Sequence, residues 1–139
     1  MILLDTCVVS EPLKPRPEPK VLNWLDDQAA ESLYLSTISL SELLASVAAL
    51  PAGRRRSSLS EELFHVIDRL FAESILAFDR AAADQFPEIL IAARKCGFTI
   101  SFADAQIAAI AAAHGFSIAT RDTGPFLATG IPIIDPWNE

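Results

Sequence analysis

The first six residues constrain the fold of this chain more than any other stretch. Ile2, Leu3 and Leu4 form an apolar run at the start of the chain, and the run ends at Asp5. A short run without polar alternation is typical of a strand buried on both faces, as in a parallel sheet. In open α/β sheets, ligands bind beyond the carboxyl ends of the strands. We therefore expect Asp5 at a ligand-accessible edge, although it could equally serve only to turn the chain.

Further short apolar runs alternate with amphipathic segments along the rest of the chain. Runs at 33–36, 75–78, 116–120 and 131–134 predict four more strands, the last of them at an edge because it contains Pro132. Helices are predicted at about 20–28, 38–50, 54–73, 80–96 and 101–114, with an ordered proline-rich loop at 10–19. No hairpin signal separates the strands. The alternation predicts an α/β domain with a mostly parallel sheet of about five strands and right-handed crossovers.

Composition excludes several classes of protein. The 139 residues are 51% hydrophobic, which predicts one globular domain with a substantial core, and no apolar stretch is long enough for a membrane span. The absence of a basic leader and the presence of only two cysteines predict a cytoplasmic, reducing setting. The net charge of −7 opposes broad nucleic-acid binding through a basic surface. It is compatible with a nucleic-acid enzyme that gathers its acids at a metal site.

Four acids are predicted to lie at one edge of the sheet. Asp5 follows the first strand, and Glu42 lies in the first turn of the helix after the second strand. Asp104 lies in the first turn of the helix at 101–114, and Asp122 follows the fourth strand by two residues. Because strand ends and the following helix starts share one edge of a parallel sheet, the four side chains can converge on one crevice.

Capping is the alternative explanation for these acids. Ser39 with Glu42, and Ser101 with Asp104, both match the pattern of a capping box. Acids in a first helical turn also interact favourably with the helix dipole. Asp122 could be an ordinary turn residue. Capping explains each acid singly more easily than it explains four acids on one edge.

Converging carboxylates repel one another, so either the cluster becomes neutral by protonation or it binds a cation. All-oxygen ligands suit Mg²⁺ or Mn²⁺, and the absence of a nearby histidine argues against zinc. Such an ion suits phosphate chemistry, because it neutralises phosphoryl oxygens and makes a bound water more acidic. Thr6 and Thr120 could orient these carboxylates or cap their own turns, and Arg121 could contact a substrate phosphate or simply be solvated. The only basic run, Arg54–Arg56, is either a solvated face or a partner contact.

Several motifs resemble a known family. The opening Met-Ile-Leu-Leu-Asp-Thr-Cys-Val-Val-Ser-Glu-Pro is similar to the start of PIN-domain ribonucleases, and most similar to VapC/FitB-like toxins of toxin–antitoxin pairs. The likeness continues at 39–43, 100–109, 120–126 and 134–137, in the expected order. It therefore spans essentially the whole chain.

The resemblance implies a PIN domain over residues 1–139, folded as a small Rossmann-like three-layer α/β/α sandwich. It implies an endoribonuclease dependent on Mg²⁺ or Mn²⁺, with Asp5, Glu42, Asp104 and Asp122 as acidic ligands and Thr120 as their support. It also implies a VapB-like antitoxin that blocks the site, a homodimer and a possible larger toxin–antitoxin assembly. The sequence departs from the family at Cys7, where Asn is usual, and Asp122 is often Asn in relatives.

Two other classes compete with this interpretation. A catalytically silent PIN-like binding module would keep the fold for partner contacts and behave independently of metal. Phosphotransfer enzymes and receiver domains also place an Asp after the first strand. A phosphotransfer enzyme of the haloacid dehalogenase type would need a second Asp at position 7, but that residue is Cys. A receiver domain would need a lysine after a late strand, but no lysine follows Lys95.

Overall fold

The strand that opens the chain lies at the centre of the sheet. In the computed structural model, which describes residues 1–139, the strand order is β3-β2-β1-β4-β5. All four strand pairs are parallel. The strands are β1 (Ile2–Leu4), β2 (Leu33–Ser36), β3 (Ile75–Leu76), β4 (Ser117–Ala119) and β5 (Ile133–Ile134). The α/β prediction is confirmed, and the sheet is wholly parallel. The fifth strand lies at an edge as expected and begins directly after Pro132.

Seven helices connect and cover these strands. They are α1 (Thr6–Ser10), α2 (Pro19–Asp26), α3 (Thr37–Ala48), α4 (Arg54–Phe71), α5 (Arg80–Lys95), α6 (Phe102–His114) and α7 (Thr123–Leu127). Short 3₁₀ turns occupy Glu11–Leu13 and Ala30–Ser32. No helix is long and apolar enough to cross a bilayer.

The core lies in two clusters on opposite faces of the sheet. Successive strand residues point to opposite faces, so Leu3 joins the cluster under α5 and α6, and Leu4 joins the cluster under α1 to α4. Both leucines are buried, which explains why β1 has no polar alternation. Helix α6 packs against α5, and its small side chains Ala105, Ala108 and Ala109 are fully buried in this cluster. The result is a three-layer sandwich with the carboxyl ends of β1 and β4 side by side.

The start of α3 differs from the prediction. Ser36, the last residue of β2, caps the helix by accepting a hydrogen bond from the Ser39 amide at 2.9 Å. The prediction of Ser39 as a cap was therefore wrong, because the helix begins at Thr37 and includes Ser39. Glu42 consequently lies in the second turn of α3 and takes no part in capping. By contrast, Ser101 caps α6 as expected and accepts from the Asp104 amide at 3.1 Å.

Helix α1 was not predicted, and the short turn or helix predicted at 125–127 is longer than expected. Asp5 accepts a hydrogen bond from the Thr6 amide and starts α1, a single turn of helix directly after β1. The stretch at 125–127 is the end of α7, which begins at Thr123. Neither segment is long enough to show a helical periodicity in sequence.

Candidate active site

An open acidic pocket lies at the carboxyl ends of the two central strands. Its volume is about 570 Å³, and all four acids predicted from the sequence line it. The lining residues are Asp5, Thr6, Cys7, Ser10, Glu42, Asp104, Arg121 and Asp122. The structure therefore brings together Asp5, directly after β1, with residues of α1, α3, α6 and the turn after β4, and these elements lie far apart in the sequence.

Asp5 is held rigidly at the floor of this pocket. Its amide donates to the Ala119 carbonyl at 2.9 Å, which extends the ladder between β1 and β4 by one residue. Its Oδ1 accepts from the Thr6 amide at 2.8 Å, and its Oδ2 accepts from the Thr120 hydroxyl at 2.8 Å. Donors on both carboxylate oxygens fix the orientation of the side chain.

Two threonine hydroxyls connect the acids. The Thr6 hydroxyl donates to Glu42 Oε1 at 3.2 Å. The Thr120 hydroxyl, besides donating to Asp5, accepts from the Asp122 amide at 3.1 Å. Thr120 is fully buried, so this hydroxyl has no solvent alternative. Both residues thus make the carboxylate contacts that sequence reasoning considered for them.

Burial and the acidic surroundings in the pocket raise the pKa of Asp104. Burial raises the pKa of its carboxyl, the charges of Asp5, Glu42 and Asp122 raise it further, and the hydrogen bond with Ser101 opposes them only in part. An acid that is desolvated among like charges favours either a proton or a bound cation. Because the charges of Asp5, Glu42 and Asp122 act on the Asp104 carboxyl, the four predicted acids lie close enough to interact.

The donor set fits a hard divalent ion. Four carboxylates and two hydroxyls of the lining offer oxygen ligands, and neither histidine lines the pocket. The one sulfur in the lining, that of Cys7, already accepts a hydrogen bond from the Arg121 amide. No three of the His, Cys, Asp and Glu side chains form a tight ligand group as they stand. An ion at this site would therefore retain some of its waters or draw the side chains inward. Retention of water is typical of Mg²⁺, which is usually bound by one or two carboxylates and keeps several waters.

Cys7 holds the turn that follows β4. Its Sγ accepts a hydrogen bond from the Arg121 amide at 3.4 Å and lies 3.8 Å from both Asp5 Oδ2 and Thr120 Oγ1. Burial raises the pKa of the thiol, and the Arg121 amide lowers it less than burial raises it. The side chain is therefore a neutral thiol at neutral pH. Sequence reasoning left its role open, because Thr120 and Arg121, which contact this sulfur, lie more than 110 residues away.

Arg121 stands at the rim of the pocket. Its guanidinium carbon lies 5.5 Å from the centre of the Trp137 ring, and the residue is exposed. The cation–π contact aligns the only cationic side chain of the pocket lining. Its position is compatible with the predicted contact to a substrate phosphate.

No structural role was predicted for Glu11 from the sequence, yet its side chain organises the loop beside the pocket. Only 3% of it is exposed, its Oε1 accepts from the Glu18 amide at 2.9 Å, and Lys14 Nζ lies 2.6 Å from Oε2. Burial by itself raises the pKa of this carboxyl, but Lys14 and the Glu18 amide outweigh it and hold the pKa below its usual value. An acid between Ser10 and Pro12 gives no sequence signal of burial.

An apolar groove adjoins the acidic pocket. It has a volume of about 610 Å³, lies between α3, the start of α4 and the proline-rich loop, and shares Thr6 and Ser10 with the pocket. Leu43, Val47 and Leu50 line it together with Lys14 and Arg55. The basic run at 54–56 therefore begins α4 and places one of its arginines on this groove.

The fold and the site define a class: a small Rossmann-like α/β/α sandwich whose parallel strands end in a cluster of carboxylates. Residues 2–131 match the PIN domain family, and the chain belongs to that family. The resemblance noted in the sequence is thus confirmed.

Three relatives match over essentially their whole length. Plasmid stability protein StbB of Pseudomonas syringae pv. tomato is 50% identical over 99% of both chains. VapC ribonuclease Y4jK of Sinorhizobium fredii is 45% identical, also over 99% of both chains. Toxin FitB of Neisseria gonorrhoeae is 44% identical over 100% of both. Among solved structures, FitAcB from Neisseria gonorrhoeae superposes with a TM-score of 0.94 at 44% identity, over 100% of both chains.

Proposed function

We propose that this protein is a metal-dependent endoribonuclease and acts as the toxin of a toxin–antitoxin pair. The observation that supports this most directly is the convergence of Asp5, Glu42, Asp104 and Asp122 on one pocket, with the pKa of Asp104 raised by burial and by the other three charges. Full-length relatives that are named as a VapC ribonuclease and as a toxin support the activity and the biological role.

The four carboxylates are the residues that would hold Mg²⁺ or Mn²⁺. When bound, such an ion neutralises phosphoryl oxygens and makes a coordinated water more acidic at neutral pH. The chain supplies rigidity: Thr120 orients Asp5, and Thr6 orients Glu42. Because these carboxylates are already oriented, less entropy is lost in positioning them when the substrate binds.

The reaction is hydrolysis of an RNA phosphodiester. Water adds its oxygen to phosphorus, the bond from phosphorus to one ribose oxygen breaks, and the departing oxygen takes up a proton. Arg121, aligned by Trp137 at the rim, is placed to contact a phosphate oxygen of the bound strand. The open shape of the pocket suits a polymer that enters from solvent.

Cleavage assays test this proposal. Antitoxin-free protein is incubated with a mixture of structured RNAs, in Mg²⁺, in Mn²⁺ and in chelator. We expect cleavage only with the divalent ion, and its loss in Asp5→Asn and Asp104→Asn. Asp84→Asn on α5 is the matched control, since Asp84 is exposed and does not line the pocket. Cleavage that persists in chelator or in either pocket variant would disprove the metal site. A protein that cleaves no RNA and does not arrest growth would instead be a silent binding module.

We further propose that a VapB-like antitoxin covers the apolar groove. A segment bound there would also obstruct the pocket, because the two share Thr6 and Ser10. Co-purification with the product of the neighbouring short reading frame tests this. Val47→Glu, within the groove, should abolish capture, and Ala83→Glu, on the exposed face of α5, should not.

The toxin proposal includes a homodimer and a larger assembly of toxin with antitoxin. Analytical ultracentrifugation of the chain alone and with its antitoxin measures both states. A chain that stays monomeric at micromolar concentration and in the complex would contradict this part of the proposal.

A further inference from the structure

Arg121 lines the same pocket as the four acids but forms an ion pair with none of them. The one ion pair of the chain joins Lys14 to Glu11. The guanidinium of Arg121 also donates no hydrogen bond to the protein, whereas the amide of this residue donates to Cys7 Sγ at 3.4 Å. Opposite charges in one pocket attract each other, so the separation of this cation from the acids needs a physical cause.

The Trp137 ring provides that cause. The guanidinium carbon of Arg121 lies 5.5 Å from the ring centre, within the range of a cation–π contact. Trp137 does not line the pocket, so the contact draws the cation towards the rim and away from the carboxylates. The face of a ring attracts a cation without accepting conventional hydrogen bonds, and the five N–H donors of the guanidinium therefore stay free.

The Trp137 ring is itself held by the sheet and the core. Strand β5 pairs with β4, and the Thr120 amide donates to the Ile134 carbonyl at 3.0 Å. The Trp137 amide donates to Asp135 Oδ1 at 3.0 Å, and its partly buried side chain packs against the core cluster under α1 to α4. The ring is therefore a fixed support for the cation.

The position of Arg121 matters in two ways. A guanidinium that contacted the carboxylates would neutralise them and so compete with a divalent ion for the same oxygens. A guanidinium with free donors can instead bind two oxygens of one phosphate, for which its planar fork is suited. Holding Arg121 at the rim thus leaves the acids to a metal ion and leaves the cation to a phosphate.

We propose that Trp137 is a positioning residue, which holds the Arg121 guanidinium away from the four carboxylates so that it neither displaces the divalent ion nor loses its donors for a substrate phosphate. This inference rests on the proposed metal site and ribonuclease function. It assigns a role in the site to the last turn of the chain, which contributes no residue to the pocket lining.

Titration with Mn²⁺, followed by isothermal titration calorimetry, tests the proposal without any need for cleavage. Trp137→Leu keeps an apolar side chain against the core but removes the ring, so we expect Mn²⁺ affinity to fall about 2- to 5-fold, the factor that corresponds to an exposed cation–π contact. Trp137→Phe keeps a ring and should retain most of the affinity. Trp24→Leu is the matched control, because Trp24 is also partly buried against the same core cluster and should not affect the metal.

A second substitution separates positioning from a purely structural role. In the Arg121→Gln background there is no cation to hold, so adding Trp137→Leu should leave Mn²⁺ affinity unchanged. In nuclear magnetic resonance spectra, the ring current of Trp137 should shift the side-chain protons of Arg121 upfield in the wild-type protein. The shift should disappear in the Trp137→Leu variant.

The outcomes distinguish this inference from the proposed function. Unchanged Mn²⁺ affinity in the Trp137→Leu variant would overturn the inference even if the wild-type protein cleaves RNA. An equal loss of affinity with and without Arg121 would also overturn it, because Trp137 would then act only through the fold. The expected pattern in a protein that binds Mn²⁺ but cleaves no RNA would support the role of Trp137 and disprove the nuclease activity. A wild-type protein that binds no Mn²⁺ would overturn both.

Discussion

The Thr120 hydroxyl donates a hydrogen bond to Asp5 Oδ2 at 2.8 Å and so connects two residues that are 115 positions apart in sequence. The contact exists because β1 and β4 are parallel neighbours whose carboxyl ends meet. The same hydroxyl accepts from the Asp122 amide at 3.1 Å. One buried side chain therefore positions two of the four pocket acids.

Replacing Thr120 by Val should weaken the site. Val keeps the shape of the side chain but removes the donor to Asp5 and the acceptor for the Asp122 amide. We expect Mn²⁺ affinity, measured by isothermal titration calorimetry, and RNA cleavage each to fall about 10- to 100-fold, as for other residues that orient metal ligands. Unfolding in urea should show a loss of about 1–3 kcal/mol.

Thr120→Ser is the control, because it retains the hydroxyl. It should keep metal affinity within a few-fold of the wild-type protein. Equal affinity in the Val and Ser variants would show that the hydroxyl has no role in orienting Asp5.

Replacing Asp104 by Asn should stabilise the metal-free protein at neutral pH. Burial and the neighbouring acids raise the pKa of Asp104 in the fold. A raised carboxyl pKa favours folding when the group is protonated, and this contribution is lost as pH rises through the folded pKa. In chelator, the free energy of unfolding of the variant should therefore exceed that of the wild-type protein at pH 7, and the difference should shrink at pH 4.

Divalent metal should reverse this order. Mn²⁺ should raise the melting temperature of the wild-type protein, because binding to the native state stabilises it. The Asp104→Asn variant should gain much less. An equal gain in both proteins would mean that Asp104 does not take part in holding the ion.

Two serines in one turn of α3 should differ in their effect on stability. Ser36→Ala removes the cap that accepts from the Ser39 amide and should cost about 1 kcal/mol. Ser39→Ala removes a buried hydroxyl that has no hydrogen-bond partner, so it should be neutral or slightly stabilising. Urea unfolding of both variants measures the difference, and a larger loss for Ser39→Ala would contradict the observed start of the helix.

The buried Glu11 should make stability depend on pH below neutrality. Its lowered pKa contributes stability above the unfolded value, and that contribution is lost as pH falls below about 4.3. Lys14→Met should remove the ion pair at Oε2, leave a buried charge without its counter-charge and cost about 1–3 kcal/mol at pH 7. The exposed Lys20→Met is the control, and an equal loss in both variants would show that the pair is not specific.

Much of the fold could be predicted because its signals are local. The apolar run at Ile2–Leu4 predicts a doubly buried strand, and that strand is the centre of the sheet. The Ser101 cap lies next to the helix that it starts. The capping prediction at Ser39 failed because Ser36, three residues earlier, offered an equivalent hydroxyl at the end of a strand. Two competing caps in one turn cannot be separated without the tertiary position of β2.

The sequence by itself determined the chemistry that the chain can supply: the carboxylates, their places after strands or near helix starts, and the family motifs that connect them. Only the tertiary structure decided which groups meet. The contact of Cys7 with the Arg121 amide, the burial of Glu11 and the stacking of Phe102 on Phe86 arise from the packing of distant segments. Periodicity reports which face of an element is buried, and the partner across that face is chosen by the order and register of the strands.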